Sequence, residues 1–164
     1  MKLTVLLGSV FLLGVSPAFA QDDLGKTMFA VCMACHGPDG QGLPVGPQKM
    51  APPLAGSKLA NGDPGVFSLI VLKGIQKETQ QYVGIMAPLE LALDDAKLAA
   101  VMTYVRSNFG NKASAVTAEE VKGFREKWKD IKAPVSRAKL EELEKAAAPA
   151  AGGAAPAPAA PTGR

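Results

Sequence analysis

The sequence is poor in soft metal ligands: 164 residues include two cysteines and a single histidine. A tetrahedral zinc site needs four N, S or O ligands, and no Cys or His stands elsewhere to complete one. Charge of one sign is also lacking. Eighteen Lys and Arg stand against 15 Asp and Glu, and a net charge of +3 is too mild a bias to suggest a nucleic-acid binder. Alternation of apolar and polar residues is nearly absent, with only "TQQYVGI" hinting at a short extended piece. There is no internal repeat, and no apolar run reaches the roughly 20 residues that cross a bilayer as a helix. What these absences leave is an all-α protein with long Pro- and Gly-rich loops.

The N-terminus has the form of a cleaved export signal. Lys2 precedes a short apolar run, Leu3 to Val15, and Ser16-Pro17-Ala18-Phe19-Ala20 ends in the small-x-small pattern of signal-peptidase cleavage. Residues 1–20 are expected to be a leader, the mature chain to begin at Gln21, and the destination to be the periplasm. The remainder divides by composition. Residues 21–111 are mixed and loop-rich, and 112–135 read as a charged helical extension. Residues 136–164 read as a short helix and an Ala/Pro/Gly tail, "AAAPAAGGAAPAPAAPTGR", which lacks large apolar side chains and is expected to be disordered.

Helix punctuation is plain. "DDLGKTMFAVCMAC" spaces Leu24, Met28 and Val31 along one helix. Asp63 as N-cap, Pro64 in the first turn and Lys73-Gly74 as the stop bracket a second. A third starts near Asp94 and carries Leu98, Val101, Met102, Val105 and Phe109 as one apolar stripe. Thr117 and Glu120 stand in capping-box positions before a fourth, with Val121, Phe124, Trp128 and Ile131 on one face.

Both cysteines and the histidine fall within five residues, as Cys32-Met33-Ala34-Cys35-His36, at the end of the first helix. A thioredoxin-like redox pair needs a preceding strand and a βαβ context, which are missing. Covalent haem attachment uses all three residues: two thiols one helical turn apart add to the two vinyl groups, and the adjacent imidazole sits under the iron. With "CMACHG", the "APPLAGS" and "YVGIMAP" loops and the closing helix "LDDAKLAAVMTYVRSNFGN", the chain resembles the class I mono-haem c-type cytochromes from about Leu24 to Asn111.

That resemblance implies three or four short helices around one haem c bound through Cys32 and Cys35, with His36 as one iron ligand. It also implies that the Pro52 carbonyl, in a P-x-L-x-G loop with Leu54 and Gly56, accepts a hydrogen bond from His36. The family's Gly and aromatic stand eight and four residues before the first Cys; here Gly25 and Phe29 are each shifted by one, so the crossing with the last helix near Tyr104 is expected to be kept with altered packing. Met86 is the expected second iron ligand. Met1 leaves with the leader, Met28 and Met33 belong to the attachment helix, Met50 to the proximal loop and Met102 to the core. Met86 as core filler beside an open iron is the alternative.

The function implied is that of a periplasmic, respiratory-type electron carrier, not an enzyme, working with redox partner proteins such as a donor dehydrogenase or a terminal oxidase. A haem enzyme of peroxidase type, or a redox or gas sensor, would need an open distal site, and an enzyme would usually need acid–base groups beside it; there is no second histidine. Lys49, Lys58, Lys73 and Lys77 flank the expected haem edge, either to steer an acidic partner or as ordinary solvated lysines. The helix after Thr117 lies beyond the resemblance, and its apolar face must be covered by this chain or by a partner.

Overall fold

The computed structural model describes residues 17–77, 81–132 and 134–147, with side chains from residue 22 onward. Most of the expected leader, the Ala/Pro tail from 148 and the start of "TQQYVGI" lie outside these residues. The described elements are α1 (Pro17–His36), β1 (Pro44–Val45), β2 (Gln48–Lys49), α2 (Lys58–Asn61), α3 (Pro64–Lys73), α4 (Asp95–Ser107), α5 (Ala118–Trp128) and α6 (Arg137–Ala147). The class is all-α. The two-residue hairpin of β1 and β2 is antiparallel and fell outside the sequence reading, as did the single turn of α2.

The caps act where their residues stand. The Asp63 carboxylate accepts from Val66 N at 2.9 Å, and Gly74 ends α3 at φ 74°, where its N–H donates to the Ile70 carbonyl. Asp94 caps α4 by accepting from Lys97 N at 2.9 Å. At α5, Thr117 Oγ1 accepts from Glu120 N while the Glu120 carboxylate accepts from Thr117 N, closing the capping box. The helix stops at Trp128, so Ile131 lies in the following turn rather than on its face.

The crossing of α1 and α4 organises the core. A Cβ on Gly25 would stand 2.5 Å from the Ala100 carbonyl oxygen, so only glycine allows the two backbones this close. One turn on, the Phe29 ring is buried against Tyr104 and Phe109, with centroids 5.4 and 5.0 Å away. The one-residue shift relative to the usual family spacing therefore leaves a glycine and an aromatic at the crossing; they are Gly25 and Phe29 themselves.

The C-terminal extension packs back on this core. Val121 and Trp128 of α5 are buried, and Trp128 Nε1 donates to the Gly65 carbonyl of α3 at 3.0 Å. Arg125 pairs with Asp95 at 2.6 Å and donates to the Glu90 and Leu93 carbonyls, tying α5 to the start of α4. From α6, Leu140 enters the same core. The apolar face of the fourth expected helix is thus covered by the chain itself.

Candidate functional site

The end of α1, the loops that follow it, α3 and α4 enclose an apolar cavity of about 320 Å³, partly open to solvent. Cys32, Cys35, His36, Pro52 and Met86 all line it. Residues 32 and 35 are one turn apart on α1, so their thiols share a face of the helix; both are free. Burial, reinforced by the neighbouring Cys35, pushes the Cys32 thiol up to about 11.

His36 is the last residue of α1, and its Nδ1 lies 3.0 Å from the Pro52 carbonyl oxygen. A carbonyl only accepts, so Nδ1 carries the proton and Nε2 keeps its lone pair. Burial lowers the imidazole's pKa, opposed by the contact with Pro52, and the ring is neutral at physiological pH.

The Pro52 loop is fastened from two sides. Leu54 N donates to the Gly40 carbonyl at 2.7 Å, just beyond the end of α1. Asn111, 3% exposed, uses both ends of its amide: it donates to the Leu54 and Val105 carbonyls and accepts from Gly56 N and Asn61 Nδ2. This buried asparagine holds the P-x-L-x-G loop against the end of α4, and the sequence reading did not single it out. Three of its four partners are 50 or more residues away, so no local pattern marks it.

Met86 is half-buried in the loop between α3 and α4. Its carbonyl accepts from Ile75 N at 3.0 Å, and any Cβ on Gly74 would collide with that carbonyl oxygen, so the α3 stop also sets the place of Met86. Two other methionines reach the same cavity. Met50 lines it from the Pro52 loop, and Met102, 1% exposed on α4, lines it while belonging to the core.

Of the lysines expected around the rim, Lys73 does not belong there. It is 6% exposed, and its ammonium lies 2.6 Å from the Glu90 carboxylate, because α3 is buried along nearly its whole length. Lys49 bonds the Gln41 carbonyl, Lys77 bonds the Val83 carbonyl, and Lys58 is exposed.

The donor set of the cavity fits a haem. Two thiols on one helix face, a neutral imidazole whose proton is already committed and thioethers near by all open onto an apolar space. No helix among the described residues is long and apolar enough to cross a membrane.

Comparison with known proteins points the same way. The cytochrome c family profile matches residues 23–109. Over 126 residues the chain is 32% identical to a cytochrome c-552 of Thermus thermophilus, covering 71% of this chain and 84% of that protein. A second cytochrome c-552 from Thermus thermophilus is 30% identical over 112 residues, covering 63% of this chain and 85% of its own. The fructose dehydrogenase cytochrome subunit of Gluconobacter japonicus is 31% identical over 108 residues, which are 62% of this chain but 22% of that larger protein. The matched residues contain the C-x-x-C-H run, the Pro52 loop, Met86 and the α1–α4 crossing, and the chain belongs to the cytochrome c family, whose members transfer electrons through haem c.

Proposed function

We propose that the protein is a periplasmic one-electron carrier whose haem c is bonded to Cys32 and Cys35 and ligated by His36 and Met86. The observation that carries this reading is the His36–Pro52 hydrogen bond, in the wall of the cavity that both cysteines and Met86 also line. When bound, haem supplies an iron that exchanges one electron between its ferric and ferrous states.

The chain's own residues do the rest. The thiols of Cys32 and Cys35 fix the group by two thioether links from one helix turn. The Nδ1–H of His36, held by Pro52, sets the ring orientation and strengthens Nε2 as a donor. Met86 offers a neutral thioether from a loop locked at Ile75, which favours the softer ferrous state. Met50 is a weaker candidate, because it lies two residues from Pro52 on the loop already serving His36; Met102 is held as core by α4. Two protein ligands leave no open position for a substrate, so the role is carriage rather than catalysis. Residues 21–111 form the haem-holding unit in this reading, and 112–135 with α6 brace it.

Similarity to a dehydrogenase cytochrome subunit supports a dehydrogenase as redox partner; a terminal oxidase is the alternative partner of this reading. The test is a redox titration of the full chain, matured where haem is attached in the periplasm. The expected result is one covalent haem per chain by pyridine haemochrome, a single one-electron wave, and no binding of carbon monoxide by the native ferrous protein. Avid carbon monoxide binding would instead favour an open-site enzyme or sensor.

A further inference from the structure

The cavity has a marked charge composition. Among the described residues that line it there is no carboxylate, and two side chains carry positive charge, Lys77 and Arg137. Lys77 donates to the Val83 carbonyl at 2.6 Å. Arg137 comes from the C-terminal extension, well beyond the residues that match the family.

The path that delivers Arg137 is tightly built. Gln76 N donates to the Val135 carbonyl at 2.9 Å, Val135 N donates to the Gly74 carbonyl at 3.1 Å, and Gln76 Nε2 donates to the Pro134 carbonyl at 2.9 Å. The extension thereby pairs alongside Ile75, the residue whose N–H holds Met86. Buried Val135 and Leu140 anchor the segment on either side of Arg137.

We infer that Arg137 is a positioning residue of the haem site, supplied by the extension, that holds a haem carboxylate and raises the reduction potential. The inference rests on the haem reading above. A haem brings two carboxylates, and an apolar cavity penalises a buried anion that finds no cation. The planar guanidinium fork suits a carboxylate, bonding it at two points. A fixed positive charge near the iron disfavours the ferric state, which carries one more positive charge than the ferrous state.

The test uses full-length holoprotein of the wild type, Arg137→Gln, Arg137→Lys and the control Lys139→Gln, whose lysine is exposed and paired with Glu142. Arg137→Gln is expected to lower the one-electron reduction equilibrium about tenfold, ~59 mV, with the visible spectrum retained. Arg137→Lys should keep most of the potential, and Lys139→Gln should leave it unchanged. The bending mode of the haem carboxylates in the resonance Raman spectrum should shift even in Arg137→Lys, since a point charge replaces a fork. That measurement decides the matter if the Gln variant fails to accumulate. An unchanged potential in Arg137→Gln, an equal shift in Lys139→Gln, or an unmoved Raman mode in Arg137→Lys overturns the inference. Absence of covalent haem from the wild type would instead overturn the haem reading itself.

Discussion

Glu144 shows how a single side chain sets a pH response. It reaches from α6 to the backbone at Gly62 and Asp63, and its Oε1 is buried without a hydrogen-bond partner among the described residues. Burial raises its pKa above the ordinary 4.5, the Asp63 N–H opposes that, the Asp63 charge adds to it and Arg106 partly offsets it. A carboxyl whose folded pKa lies above its unfolded value binds its proton more tightly when folded. Its contribution therefore destabilises the fold above that raised value, and the cost fades as pH falls to the ordinary range. Glu144→Gln should melt higher than the wild type at neutral pH, and the two curves should converge below 4.5; a variant that melts lower at neutral pH would contradict this sign. Legibility at this scale follows locality. Cys32, Cys35 and His36 stand out in the sequence because they fall within five residues of one helix, the spacing that the proposed attachment needs. Asn111 is not marked by any local pattern, because its role arises only when the Pro52 loop and the end of α2 meet the end of α4. The choice among Met86, Met50 and Met102 rests on the three-dimensional path of two loops, which no spacing in the sequence encodes.

Among the elements, helices with caps and buried stripes were legible. Asp63, Asp94 and Thr117 each close a hydrogen bond that is local in sequence, so a short window holds the whole signal. The β1–β2 hairpin and α2 escaped because elements of two and four residues carry too little periodicity to register. What covers α5 was also open in the sequence, since amphipathicity shows that a face is buried but not against what. The structure answers with α3: Trp128 is 7% exposed and donates to Gly65. Trp128→Ala should cost roughly 3–5 kcal/mol in a chemical unfolding titration of the holoprotein. Trp128→Phe keeps a ring but loses the indole N–H that donates to the Gly65 carbonyl, which Ser68 Oγ still bonds at 2.7 Å, and should cost roughly 0.5–1.5 kcal/mol. A loss well below about 1 kcal/mol for the alanine variant would mean that α5 is not fastened to the core.

For the molecule as a whole, the haem cavity sits where a core would otherwise close. The long helix-free stretches beside it, 37–57, 74–77 and 81–94, are pinned at points such as Pro52 and Met86 rather than by continuous packing. Blocking attachment with a Cys32→Ala, Cys35→Ala double variant should therefore give a chain that lacks cooperative unfolding by near-ultraviolet circular dichroism and exchanges its loop amides rapidly. A cooperative, well-protected apoprotein would show that the polypeptide core suffices alone. The proposed carrier role depends on an iron whose ligand positions are all filled. A carrier needs both axial positions filled by the chain, and an enzyme or sensor needs one of them open. The most direct measurement is the visible spectrum and carbon monoxide binding of Met86→Ala, with Met50→Ala beside it. Met86→Ala should lose the weak Met-to-iron charge-transfer band of the oxidised protein, drop in potential and bind carbon monoxide, whereas Met50→Ala should keep the band and exclude the gas. Retention of the band and the potential in Met86→Ala would contradict the ligand assignment and, with it, the account of a closed electron carrier.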